Sequence, residues 1–405
     1  MYFCIGMVNS IMISYNIMNR FFILLFGWMF YTLPSTASTL DSVRISLLTC
    51  APGTEIYALF GHSALRYEHP SLNQDWVFNY GMFSFRDPNF VMRFVKGETD
   101  YQLGVVPFSR FAVEYEERGS TVYQQVLNLS DEEKVRLIRL LEENYLPANR
   151  VYRYNYFYDN CTTRARDKVE ESIDGTVVYP EKLDALTFRD IIHIYTADSE
   201  WSELGIDLCL GAEADEQIDE RKQMFAPFFM LEAARGAVIH RADTVVPLIK
   251  EEFLAVNAPP RADTASYPSP LFCVILLLIL TIVMVGCGIR RGRMFWWWDL
   301  FLFGLQGLGG CIIAFLFFFS VHPTVGSNWL IILFNPIPLC YLPWMIYKGV
   351  KGEKDLYHWI NAFCLTSFIL LIPFLQQKFN VTVLPLALCF LFTSVGHLII
   401  YYKKH

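Results

Sequence analysis

The chain predicts an α+β exported domain followed by an all-α transmembrane bundle of five helices, and three observations carry that prediction. Five apolar stretches, about 271–289, 296–319, 328–347, 357–375 and 383–402, each approach the roughly 20 residues that cross a bilayer core. Basic residues alternate from side to side in the loops that join them. Residues 39–255, by contrast, are of mixed composition, with strand-period and helix-period segments in turn. With 54% hydrophobic and only 18% charged residues, 405 residues are too apolar for one ordinary soluble domain, so the excess belongs to the tail.

The loop charges set the orientation. Arg290, Arg291 and Arg293 follow the first span, Lys348, Lys351 and Lys354 the third, and Lys403 and Lys404 the fifth. The opposite loops, near His322–Asn328 and Gln376–Asn380, carry only Lys378. The positive-inside rule then places residues 39–270 outside the cytoplasmic (inner) membrane. The start of the chain agrees with export. Arg20, the apolar run Phe21 to Leu33 and the small residues of Pro34–Ser38 read as a secretory signal within residues 1–38. Met1 to Asn19 is an awkward leader, and initiation at Met18 would give a more usual one; the alternative is a retained anchor helix. Residues 256–270, rich in Pro, Ala and Ser, read as a linker between the domain at 39–255 and the membrane part at 271–405.

Charge and cysteine usage exclude several functions. The tail holds nine Lys/Arg against three Asp/Glu, so the net −7 leaves the middle segment strongly acidic. An acidic domain repels phosphates, which excludes nucleic acid as a partner. Six of ten cysteines lie in the apolar tail as small hydrophobes, and Cys4 is in the leader. The exported domain keeps Cys50, Cys161 and Cys209, an odd number that predicts at least one free thiol. No Cys/His spacing suits zinc, and neither metal nor cofactor is expected.

Within the exported domain, Val43–Cys50, Ala64–Tyr67, Trp76–Phe83 and Thr121–Leu129 predict strands. Ser130 to Glu133 is a capping box that opens a helix through Tyr145. Tyr152, Tyr154, Tyr156 and Tyr158 recur at period two, which predicts a strand with one tyrosine face. Asp159 and Asn160 are good N-cap residues for a helix over Thr162–Ser172. Cys161 therefore sits at the first turn of a helix, where the backbone dipole favours thiolate. That makes it the candidate nucleophile.

A thiol nucleophile needs a base. The exported histidines are His62, His69, His193 and His240. His62 follows Gly61 at the entry to a strand, where a glycine permits close backbone approach, and it is the candidate base. Asn79, on the strand alongside, either orients that imidazole or caps a turn before Gly81. Cys50 and Cys209 are bracketed by apolar residues and read as packing. Phe225 to Phe229 dips into the membrane interface, lines an acyl groove or enters the core. Trp296–Trp298 and Asp299 read as interfacial residues at the start of the second span.

Histidine on an early strand and cysteine on a later helix reverse the papain order, which points to a circularly permuted arrangement. Leu47–Gly53, Phe60–Arg66, Phe78–Gly81, Phe94–Gly97, Tyr154–Cys161 and Ile206–Gly211 resemble the Lnb family of bacterial lipoprotein N-acyltransferases, as do His322-Pro and Asn328-Trp-Leu in the tail. The resemblance implies a permuted papain-like (NlpC-like) domain, akin in fold logic to lecithin:retinol acyltransferase. It implies Cys161 as nucleophile and His62 as general base, a phospholipid as acyl donor, a diacylated lipoprotein as acceptor, and no cofactor. Two rivals remain. One is a membrane-anchored peptidase or amidase on cell-wall peptides, and the other a non-enzymatic envelope sensor or assembly module.

Overall fold

The computed structural model describes residues 42–84, 88–181, 185–259 and 267–404. The expected signal over 1–38 lies outside the described residues, as does part of the expected linker. An antiparallel sheet of seven strands organises the N-terminal part, with spatial order β10-β5-β1-β2-β3-β4-β6. Its strands are β1 (Arg44–Cys50), β2 (His62–His69), β3 (Gln74–Met82), β4 (Asp100–Pro107), β5 (Val122–Leu127), β6 (Val151–Arg153) and β10 (Ile249–Val256). A small sheet holds β7 (Thr176–Val178), β8 (Val238–His240) and β9 (Val245–Pro247). The helices of this part are α1 (Phe90–Lys96), α2 (Phe108–Arg118), α3 (Asp131–Tyr145), α4 (Cys161–Ser172), α5 (Phe188–Thr196), α6 (Glu200–Cys209), α7 (Glu220–Gln223) and α8 (Pro227–Gly236).

β1 is buried on both faces from Ile45 to Cys50 because it lies mid-sheet under helices on both sides. Leu48, Cys50, Ala64 and Val77 pack against Phe111 and Tyr115 of α2. Side chains alternate across a strand, so Ser63 faces the other side, where its hydroxyl lies 3.1 Å from Thr162 Oγ1 of α4. A second core gathers Phe157, Phe188, Ile191, Leu210 and Phe225. Phe225 is thus core, and the Phe225–Phe229 run does not line a groove at its first position.

The expected tyrosine strand is much shorter than its pattern suggests. β6 ends at Arg153. Asn155 then bends the chain, its side-chain oxygen accepting from the amides of Phe157 and Tyr158 at 3.2 Å each. An asparagine turn of this kind competes locally with the ladder. Tyr152 is buried and Tyr158 half exposed, so no common tyrosine face exists.

Among the described residues, five helices are long and apolar enough to cross a membrane: Pro270–Arg291, Trp296–Phe319, Leu330–Lys351, Leu356–Phe374 and Val383–Lys404. Trp298, Leu302, Leu333, Leu365, Phe368 and Phe390 make their common core. Trp296 and Trp297 are exposed, as an interfacial belt requires, but Trp298 is buried. Asp299 is also buried rather than interfacial, with its Oδ2 3.0 Å from His397 Nε2 between the second and fifth spans.

Arg44 to His405 make one compact unit, and the seam between its sheet part and its helical bundle is polar. Arg189 of α5 donates to Asp207 at 2.7 Å and Asp215 at 2.9 Å, with all three side chains almost fully buried. Asp207 accepts from Asn380 at 3.0 Å, and the Asn328 side chain donates to the Leu208 carbonyl at 2.8 Å. Gln377 donates to Asn328 and to the Leu210 carbonyl, each at 3.0 Å. Every bundle residue in this seam lies in the loops poor in Lys/Arg. The contacts therefore assign the sides as the loop charges do.

Candidate active site

The site forms where β2 and β3 part. Their pairing begins at Leu65 with Phe78, so His62, Ser63 and Ala64 lie beyond the ladder on that side. β3 meanwhile shifts register against β4 between Asn79 and Met82, a bulge that bends the strand away. The N-terminus of α4 enters this wedge. Gly81 sits in the bulge at φ +84, and a Cβ there would stand 3.7 Å from Cys161 Cβ and 3.9 Å from His62 Cε1. A side chain at position 81 would fill the mouth of the cluster.

The sequence around Cys161 builds the helix start. Asn160 is the N-cap, its Oδ1 accepting from the Thr162 amide at 2.8 Å and the Thr163 amide at 3.0 Å. Its Nδ2 donates to the carbonyls of Tyr156 and Phe225, which anchors the cap to the second core. α4 then begins at Cys161 itself. The N-cap engages two of the backbone donors that the helix start offers, and the Cys161 amide is not one of them.

On the facing strand, Gly61 at φ +74 lets the chain pass the Cys50 carbonyl, which a Cβ would approach to 2.5 Å. That close approach delivers His62 to the wedge. Its Nε2 lies 2.6 Å from Asn79 Oδ1, and its ring stacks on Tyr115 at 6.5 Å and 12°. With Nε2–H donated to Asn79, Nδ1 is the nitrogen left to exchange a proton with the thiol.

The electrostatics favour a charged pair. Burial alone raises the Cys161 thiol, but it is outweighed by the His62 charge, the His62 hydrogen bond, the Ser63 amide and the Thr162 hydroxyl. Together they bring it down to about 7. For His62, burial disfavours the imidazolium, yet the Cys161 charge and hydrogen bonds with Cys161 and Asn79 hold it above its usual value. Cys50 behaves oppositely. Burial drives its thiol far up despite a hydrogen bond with Tyr115, and it is fully buried. Burial likewise pushes Cys209 up to about 11.

Alkylation by iodoacetamide followed by peptide mapping reads this difference. Labelling at Cys161 is expected to rise through a midpoint near pH 7 and level off above it, because the thiolate is the nucleophile. Cys50 and Cys209 stay unlabelled over the same range. In His62→Ala the midpoint should move up toward the ordinary thiol value of about 8.5. An unshifted midpoint would mean that His62 does not stabilise the thiolate.

Thus Cys161, His62 and Asn79 meet in one cluster. His69 lies at the opposite end of β2, and His240 is in the small sheet. His193 bonds to Asp207 at 2.9 Å in the seam. Glu203 completes a group of three whose ligand atoms lie within 4.8 Å of one another. Those atoms are already engaged, since Asp207 is held by Arg189 and Asn380 and Glu203 accepts from Thr196. Ser63, Gly81 and Thr162 fall inside segments that the sequence singles out but receive no role there, and Tyr115 is not singled out at all. Ser63 and Thr162 adjoin the Gly-His and Asn-Cys pairs and were within reach of a sequence reading, whereas nothing local marks Tyr115.

The fold and cluster define a protein with five membrane-length helices whose α+β domain gathers a cysteine, a histidine and an asparagine in one wedge. Residues 31–193 match the family model for the Lnb N-terminal periplasmic domain, and residues 262–405 match that for the Lnb transmembrane domain. The chain belongs to the Lnb family. No match was found among curated proteins or among solved structures.

Proposed function

We propose that this protein is a lipoprotein N-acyltransferase of the inner membrane, working through a Cys161 acyl-enzyme. The observation that carries the reading is the Cys161–His62–Asn79 cluster on a domain held at a membrane by five spans, in a chain of the Lnb family. Cys161 thiolate attacks an ester carbonyl of a phospholipid, forming a C–S bond. As the C–O bond breaks, the imidazolium of His62 gives its proton to the departing lysophospholipid alkoxide. The α-amine of a lipid-modified N-terminal cysteine then attacks the thioester. His62 takes a proton from that nitrogen, and the thiolate leaves regenerated.

Asn79 holds the imidazole so that Nδ1 faces the sulfur. The Cys161 amide is the donor at the helix start suited to the tetrahedral oxyanion, and one such donor is worth about 2.7–4 kcal/mol in known cases. An α-amine of pKa about 8 is largely protonated at neutral pH, so a base beside the thioester has work to do. Anchoring catalyst and both lipid substrates to one surface raises their effective concentration.

The test is to reconstitute the protein in phospholipid vesicles with a diacylated lipopeptide. Mass spectrometry should find the lipopeptide heavier by one acyl group on its α-nitrogen, with lysophospholipid formed in equal amount. An unchanged lipopeptide, together with release of stem peptides from cell-wall material, would replace this reading with the amidase one.

A further inference from the structure

We propose that α1 is an interfacial helix, and that stacked aromatic rings running from it to Cys161 form the entry wall for one acyl chain of a glycerophospholipid in the adjacent leaflet. The inference rests on the acyltransfer reading and adds where the donor chain lies.

Its first support is the height of α1. The helix is fastened to the outer end of the second span: the Val321 amide donates to the Lys96 carbonyl at 2.8 Å, and the Ser320 hydroxyl to the Val95 carbonyl at 2.8 Å. His322 Nε2 lies 2.6 Å from the Phe94 carbonyl. The span itself ends at Phe319. A helix bonded to the three residues that directly follow a membrane helix lies at the level of the bilayer surface.

Its second support is what α1 exposes there. Val91 is 71% exposed, Met92 54% and Phe94 43%, beside Phe318 and Phe319 at 66% each on the span. Ile56 and Tyr57, from the loop before β2, are exposed as well. A patch of this kind rarely faces water on a folded protein, and continuity with a membrane-spanning surface names lipid as its occupant. Arg93 does not break the patch, since it is turned back to Asp100 at 2.6 Å, and Lys96 stands at the C-terminal end of α1, away from Val91 and Met92 in sequence.

The third support is the route inward. Phe94 stacks on Phe90 at 6.2 Å, Phe90 on Phe83 at 5.4 Å, and Phe83 on Tyr101 at 5.0 Å, all with ring planes within 22° of parallel. Tyr57 meets Phe83 edge-on at 6.2 Å from the facing loop. Tyr101 in turn reaches the space above Gly81, 4.0 Å from where a Cβ would be, beside Cys161. Stacked rings make a continuous apolar column along whose side an extended hydrocarbon can lie, with the Gly81 position at its inner end. The series starts at the membrane and stops at the sulfur.

Two variants test it in vesicles of one phosphatidylethanolamine. The double substitution Val91→Asp, Met92→Asp alters only exposed residues of α1, and Phe83→Ala breaks the wall midway. Formation of the Cys161 thioester from the phospholipid should fall at least about tenfold in each, as loss of apolar burial predicts. Reaction of Cys161 with iodoacetamide and with a water-soluble acetyl thioester should keep its wild-type rate. Wild-type rates from phospholipid in both variants would overturn the path. An equal loss toward the soluble reagents would overturn it too, by tracing the defect to the cluster itself. Failure of the wild-type protein to form any thioester from phospholipid would instead remove the underlying reading.

Discussion

Cys161→Ser is expected to lower acyl transfer by about 10⁶-fold, His62→Ala by nearly as much, and the double variant by no more than the worse single one, because members of one nucleophile–base unit are strongly non-additive. Serine keeps the shape and the helix start but not the acidity. A hydroxyl beside His62 is not ionised near neutral pH, whereas the thiol brought down to about 7 is substantially thiolate there. Removing His62 takes away both the charge that lowers the thiol and the group that protonates the lysolipid alkoxide. Asn79→Ala should cost less, since the imidazole remains and only its orientation is loosened. The measurement is the initial rate of lipopeptide N-acylation at one lipid composition. Additive losses would mean that Cys161 and His62 serve separate steps, and an active Cys161→Ser enzyme would remove the thioester from the mechanism.

Much of this site was legible because its signals are local. Asn160 caps the helix through its own neighbours, and Ser130 with Glu133 closes a capping box within four residues. Span lengths and loop charges need no partner to be read, and the five helices fall within a few residues of the expected stretches. The tyrosine strand failed for a related reason. Period two was present, but the Asn155 side chain bends the chain before the pattern ends, and the sheet offers a partner only as far as Arg153. Tyr115 under His62 and the amide of Ser63 beside Cys161 depend on which strands part and by how much. That is a property of register between distant segments, which spacing in one chain does not carry. Asp299 shows the same limit. Its position near a span end suggested the interface, and only packing against His397 on the fifth span reveals a buried carboxylate.

Arg189→Met should destabilise the exported domain by about 3–5 kcal/mol, the cost of leaving buried carboxylates without their cation. Arg189 is 1% exposed and donates to Asp207, Asp215 and the carbonyls of Leu210 and Gly211. Asp215 would keep only the Lys378 amide at 2.9 Å, and Asp207 would keep His193 and Asn380, neither of which carries a fixed charge. Their desolvation would then stand largely uncompensated. The same residues tie the sheet part to the loops at Asn328 and Asn380, so the loss should also loosen how the Cys161 wedge is held over the membrane. Lys378→Ala is the control, since its ammonium meets Asp190 at the surface and such a pair contributes about 0–1 kcal/mol. Denaturant unfolding in nanodiscs, followed by tryptophan fluorescence, separates the two. A third variant sharpens the argument: replacing Arg189, Asp207 and Asp215 together by apolar residues of similar volume removes the stranded charges and should recover most of the lost stability. It should not recover acyl transfer if the seam sets the orientation of the site. Full recovery of both would reduce Arg189 to a packing residue.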